Sequence, residues 1–146
     1  MKKKKIWYVI ADGGKARFVE RDDNGAFRTV VSFVSTELHA KSSDLGRDRP
    51  ARVMESAAHG RSAVEPRRDL KEAAEEDFIK LVADEIDAGH KRKQFDRLVL
   101  VAPAGHLTDL KKSLSKPLAK IVVDDLQKDL TNVPDHDLTQ HLASPR

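Results

Sequence analysis

The sequence predicts a single α/β domain, residues 1–146, built on a five-stranded mixed sheet flanked by helices, in the order βββαβαβα. Three observations predict it. Ile6 to Ala11 and Arg97 to Pro103 are nearly continuous apolar runs, the signature of strands buried on both faces. Two further strand-like runs follow the first of these, with turn signals between them. A long segment of helical period precedes the second, as a crossover into a parallel strand requires.

Taken in order, Ile6 to Ala11 is the first strand, and Asp12, Gly13 and Gly14 end it as a turn. Ala16 to Arg21 is the second. Asn24 and Gly25 give a strong hairpin signal. The third strand runs from about Phe27 to Val34, with Phe27, Thr29, Val31 and Phe33 on one face by alternation. These three strands are expected to form an antiparallel meander. Residues 35–68 show neither period and read as a long loop, of the kind that is functional or disordered in compact domains. A helix is then expected from a capping box at Asp69 and Glu72, with Leu70, Ala73, Ala74, Phe78, Leu81, Val82 and Ile86 on one stripe and Gly89 as its stop. After the strand at Arg97, Leu107, Leu110 and Leu114 mark a short helix halted near Pro117. Ile121 to Val123 reads as a last strand, although Leu118, Ile121, Val122 and Leu126 also fit a helix. Pro134, Leu138 and Leu142 suggest a terminal helix.

Composition narrows the function. Hydrophobic residues make up 39% and charged residues 35%, a soluble globular balance. There is no cysteine, which removes disulfides and thiolate metal sites. Lys2 to Lys5 resemble the start of an export signal, but the apolar run behind them is shorter than the roughly 7–15 residues needed. No run approaches the ~20 apolar residues of a membrane span, so a cytoplasmic location is expected. Net charge is +3, and it is unevenly spread. Residues 1–70 hold 15 basic and 10 acidic side chains, the rest 12 and 14. The basic excess therefore lies in the first half, and a polyanion partner would be met there.

Several constellations carry possible chemistry. Gly13, Gly14 and Lys15 suit an anion, but the P-loop spacing is absent and a hairpin turn explains them. Asp12, Asp124 and Asp125 stand near strand ends, where carboxylates can hold Mg²⁺ for phosphodiester hydrolysis. A metal-dependent nuclease is one alternative on that ground; solvated strand caps are the plainer one. No two histidines have the i, i+4 spacing of a helical metal pair, so a zinc site is not expected; no cofactor is expected and no metal ligand is assigned. Ser56, His59 and Glu65 have the residue types of a hydrolytic triad but no nucleophile-elbow motif, and no catalytic residue is assigned. The arginine-rich loop stands out most. Arg47, Arg49, Arg52, His59, Gly60, Arg61, Arg67, Arg68 and Lys71 form the candidate nucleic-acid-binding set. Guanidinium forks match phosphate geometry, and glycine lets a backbone approach a strand closely. Against this, Glu37, Asp44, Asp48, Glu55 and Glu65 interleave with the basic residues, as in a self-paired solvated surface.

Trp7 to Arg17, Ser43 to Pro50, His59 to Pro66, Phe95 to Pro103 and Lys128 to Thr131 together resemble the bacterial host-attachment proteins, a family named for attachment to host cells. That family is in turn similar to the middle domain of archaeal and eukaryotic class-1 release factors. The resemblance implies a mixed sheet with helices on both sides and contact with ribosomal or transfer RNA. Release factors carry Gly-Gly-Gln before the long helix; here the comparable stretch is His59, Gly60, Arg61 and Ser62, without the glutamine. Peptide release is therefore not expected. The leading reading is a non-catalytic binding module that meets RNA or the ribosome through the basic loop. The alternative is a protein-interaction factor that supports attachment at the cell surface.

Overall fold

The computed structural model describes residues 4–36 and 50–142, with 50–69 described by their backbone alone. The strands are β1 (Ile6–Ala11), β2 (Lys15–Arg21), β3 (Phe27–Val34), β4 (Arg97–Ala102) and β5 (Val122–Gln127). Helix α1 spans Pro50–Lys91, α2 Ala104–Ser113 and α3 Lys116–Lys120, and a 3₁₀ helix spans Asp135–Gln140. The five strands form one open sheet in the order β3-β2-β1-β4-β5. β1 pairs antiparallel with β2 and parallel with β4; β2 pairs antiparallel with β3 and β4 parallel with β5. The meander and the parallel centre are as the sequence predicts.

The central strands earn their apolar runs by facing two cores. From β1 and β4, Trp7, Val9, Ala11, Leu98, Leu100 and Ala102 pack toward α1, α2 and α3, with Phe78, Ile79, Val82, Ile86, Leu107, Leu110 and Leu118. Tyr8, Ile10, Val99 and Val101 point to the opposite face, where Leu130, Leu138 and Leu142 of the C-terminal segment cover them. The helices therefore gather on one face, and a strap ending in the 3₁₀ helix closes the other.

Five local expectations change. In β3, Val31 pairs with Phe18 and Thr29 with Val19, so an extra residue, Val30, sits in the ladder as a bulge. The bulge transfers alternation from one face to the other: Phe27 packs in the strap-side core, whereas Val30 and Phe33 pack against the helical one. Leu70 and Leu81 are exposed, and Ile79 and Ala83 take their place among the buried residues of α1. Gly89 lies inside α1 and does not end it. A Cβ there would fall 2.8 Å from the Trp7 ring, so this glycine lets helix and sheet approach. Lys93, at φ 59°, makes the left-handed turn after the helix. Pro117 opens α3, a position where its missing N–H costs nothing, and does not merely halt α2. The terminal helix is 3₁₀, with Pro134 preceding it.

Candidate functional site

The segment rated highest by sequence is not irregular throughout. α1 starts at Pro50, a favoured first helical residue, and continues through 50–68. Asp69 is thus interior to a helix that began at Pro50. Gly60 and Pro66 oppose helix formation, by about 1 and 3 kcal/mol in a generic helix interior. Ala51, Ala57, Ala58 and Ala63, with Met54, Arg52, Arg61, Arg67 and Arg68, favour it. Arg47 and Arg49 lie outside the described residues.

Helical register sorts the rest. At 3.6 residues per turn, Gly60, Arg61, Arg67, Arg68 and Lys71 fall within an arc of roughly 120°. Arg52 and His59 fall on the opposite side of the helix. The arc continues the row of Phe78, Val82 and Ile86, which are buried on the sheet. One stripe of α1 therefore changes chemistry along its length, from basic positions before residue 72 to core positions after 77. Lys71 is exposed. Between the two stretches, Glu72, Glu75 and Glu76 line a hollow with Gly105, His106 and Asp109.

The three carboxylates considered for Mg²⁺ do not converge. Asp12 follows β1 and is held by the turn: its Oδ1 accepts from the N–H groups of Gly14 and Lys15, both at 2.8 Å. Its Oδ2 accepts from Thr131 Oγ1 at 3.0 Å. Asp124 and Asp125 sit within edge strand β5, paired with Val99 and Leu100 of β4. They are two strands across from β1, a displacement of about 10 Å before any offset along the strands. Asp125 is bound by Lys111 Nζ at 3.0 Å. Among the described residues, no group of three His, Asp or Glu side chains is placed to hold a metal ion.

The most connected polar cluster was not foreseen from sequence. Arg17 of β2 reaches into the strap. Its Nη1 donates to Asp135 Oδ1 at 3.0 Å, and its Nη2 to the carbonyls of Leu130, at 2.7 Å, and Val133. Asp135 also accepts from the Thr29 hydroxyl at 2.6 Å and the Thr29 N–H at 3.0 Å. Partial burial favours the neutral form of Asp135. The two Thr29 hydrogen bonds and the charges of Arg17 and His136 outweigh it and hold the carboxyl below its ordinary range. Burial, opposed by Asp135, lowers Arg17 from its usual value. These partners lie more than 100 residues apart in sequence, beyond the reach of any local signal. The cluster ties the strap to the meander.

A family model described as a protein required for attachment to host cells matches residues 7–142. No curated protein matches the chain. Among solved structures, the crystal structure of an archaeal translation termination factor is similar, with a TM-score of 0.53 and 11% identity. The likeness covers 95% of this chain and 35% of that one, so the chain spans about a third of that protein's length. At this identity the likeness shows a shared fold. The family match takes in nearly the whole sheet, all of α1 and the whole described strap. The chain belongs to the family of proteins required for attachment to host cells.

Proposed function

We propose that this host-attachment family protein is a non-catalytic binding module that meets RNA, free or in the ribosome, through the basic stretch of α1 and the residues leading into it. The observation that carries this reading is the continuity of α1 from Pro50. A helix of 42 residues is about 63 Å long, whereas a six-residue strand spans about 20 Å. The sheet is too short to cover all of it. The first part of α1 carries Arg61, Arg67, Arg68 and Lys71 on one side, a spacing suited to successive phosphates. The fold shared with a translation termination factor supports RNA as the polyanion.

Binding through phosphates must weaken steeply as salt rises. Replacing Arg61, Arg67 and Arg68 with Ala is expected to lower affinity for any RNA sequence and to reduce the salt slope by roughly 2, at about 0.7 per single-strand phosphate contact. Fluorescence anisotropy with a labelled oligonucleotide reads both. Unchanged binding by the triple variant at matched salt removes this surface. A second reading, a protein-interaction factor supporting attachment, is favoured by β3, a sheet-edge strand with Val31 and Val34 exposed. Affinity capture with and without nuclease treatment separates the two, because a protein partner survives digestion of RNA.

A further inference from the structure

We infer that the end of the fold where β1 and β4 begin, which gathers Lys4, Lys5, Lys91, Arg92, Lys93, Arg97 and Lys120, is a second docking surface for the phosphate backbone of RNA. Backbone hydrogen bonds bring these residues together. The Lys5 carbonyl accepts from the N–H groups of Asp96 at 2.7 Å and Arg97 at 3.1 Å. The Leu98 N–H donates to the Ile121 carbonyl at 2.9 Å, which sets Lys120 beside the start of β4. At the end of α1, the N–H groups of Arg92, Lys93 and Gln94 bond to the carbonyls of Ala88, His90 and Gly89. The left-handed Lys93 fixes that turn. Six of the seven are exposed, and Arg97 is partly so.

The acids nearby offset this set only in part, three carboxylates standing against seven cations. Asp87 pairs with Lys91 at 3.0 Å, and Asp96 spends one carboxylate oxygen on the Lys5 N–H. Glu20 lies 4.0 Å from Lys5 but also meets Arg28 at 3.6 Å and the Trp7 indole at 3.0 Å. The opposite end of the sheet carries Glu72, Glu75, Glu76 and Asp109 around its hollow, with Asp12 and Asp129 sharing the Thr131 hydroxyl. The excess of cations at this end would attract a polyanion. Cations at a helix C-terminus complement its dipole, which accounts for Lys91 and Arg92. Lys120 likewise closes α3. The dipole does not account for Lys4 or Arg97, which belong to no helix.

Chemistry favours RNA over other acidic partners. Among the described residues, the exposed large hydrophobic residues are Val31, Val34, Leu70, Leu81 and Val123, and of these only Val123, at the start of β5, lies near this end. Amphipathic membrane-surface helices bury an apolar face among headgroups beside their basic one, and the centres of protein interfaces are enriched in Trp and Tyr as well as Arg. A cationic surface drawn from several elements, with a single exposed valine beside it, matches phosphates. This surface does not rest on the one proposed above: Lys71 and Lys91 are twenty helical residues apart, about 30 Å along the axis.

The test uses the full chain, a fluorescein-labelled poly-uridine oligonucleotide and a salt series. The variant Lys5→Gln, Lys91→Gln, Arg92→Gln, Lys93→Asn removes four charges; asparagine suits the left-handed turn. Affinity is expected to fall about tenfold or more at low salt, and the slope of log affinity against log salt to shrink by roughly 2 to 3. A melting curve matching wild type certifies the fold. If that variant does not fold, the exposed pair Lys4→Gln, Lys120→Gln is expected to shrink the slope by about 1. Unchanged RNA affinity overturns the inference. So does tighter binding to phosphatidylserine–phosphatidylcholine vesicles than to RNA, lost in the same variant. The Arg61, Arg67, Arg68 variant, run in parallel, separates the two surfaces: loss there alone removes the basic end, and loss at the basic end alone removes the α1 stretch.

Discussion

The two faces of the sheet are held by different physics. On the helical face, three helices press a continuous apolar cluster onto β1, β2 and β4. An aromatic chain runs through it: Trp7 lies 4.6 Å from Phe95 and 4.9 Å from Phe18, and Phe33 stands between Phe18 and Phe78. On the strap face, the apolar cover reduces to Leu130, Leu138 and Leu142 with a few strand residues, and Tyr8 meets Phe27 edge-on at 5.1 Å. The rest of the fastening is polar, through Arg17, Asp135, Thr29, Thr131 and Asp12. Apolar packing is insensitive to pH and scales with buried area. A charge-assisted network depends on protonation and on every partner being present. The helical face should therefore fail by cavity, and the strap face by titration or loss of one partner.

The largest expected effect is on the helical face. Phe78 is 3% exposed and reaches both the sheet and the aromatic chain. Phe78→Ala should cost about 3 to 5 kcal/mol, from lost transfer energy and the cavity left behind. Urea denaturation measures it. A cost below that of the strap variant described next would break the proposed division between the faces.

On the strap face, Asp135→Asn keeps the shape and removes the charge. The Arg17 side chain is 12% exposed and its Nε is buried without a partner, so the guanidinium would lose its one anionic contact among the described residues. The expected cost is about 1.5 to 2 kcal/mol, the low end for charge-assisted bonds, because Asp135 is partly open to solvent. Its pH dependence sharpens the comparison. The folded-state pKa lies below the ordinary 3.8, so the ionised carboxyl stabilises fully above that value. The contribution disappears as pH falls through the folded value. The stability gap between wild type and Asp135→Asn should thus be constant near neutrality and close below about pH 4. A gap unchanged down to pH 2 would show that the charge is not what holds the strap.

The same division explains what was legible in the sequence. Apolar runs write the helical face and the central strands directly, and Trp7 to Ala11 and Leu98 to Ala102 are both buried as read. The β3 bulge at Val30 was not legible, because a ladder insertion depends on the partner strand and leaves the β-rich composition unchanged. The 50–68 helix was hidden by Gly60 and Pro66, two strong local signals that the surrounding alanines and long side chains override. As a result the basic residues of the candidate site were visible, but not the register that groups Arg61, Arg67, Arg68 and Lys71 and leaves out Arg52 and His59. The strap network pairs residues more than 100 positions apart, which a single sequence cannot show. Leu138 and Leu142, at helical spacing, suggested an α-helix, but the six residues Asp135–Gln140 close as a 3₁₀ turn.

The smallest effect tests how tightly the helical face is packed. At Gly89 two terms oppose. Alanine in a helix interior is favoured over glycine by about 1 kcal/mol. The added methyl, however, would sit 2.8 Å from two ring carbons of Trp7. That ring has little freedom: it is 3% exposed, stacked on Phe95, and its Nε1 donates to Glu20 at 3.0 Å. Overpacking costs about 1 to 3 kcal/mol in a well-filled core, so Gly89→Ala should be net destabilising by about 1 kcal/mol. That corresponds to a fall in melting temperature of a few degrees, about 2 to 8 °C for domains of this size range. A rise in melting temperature would mean that the indole can yield, and that the helical face has slack which its aromatic contacts do not reveal.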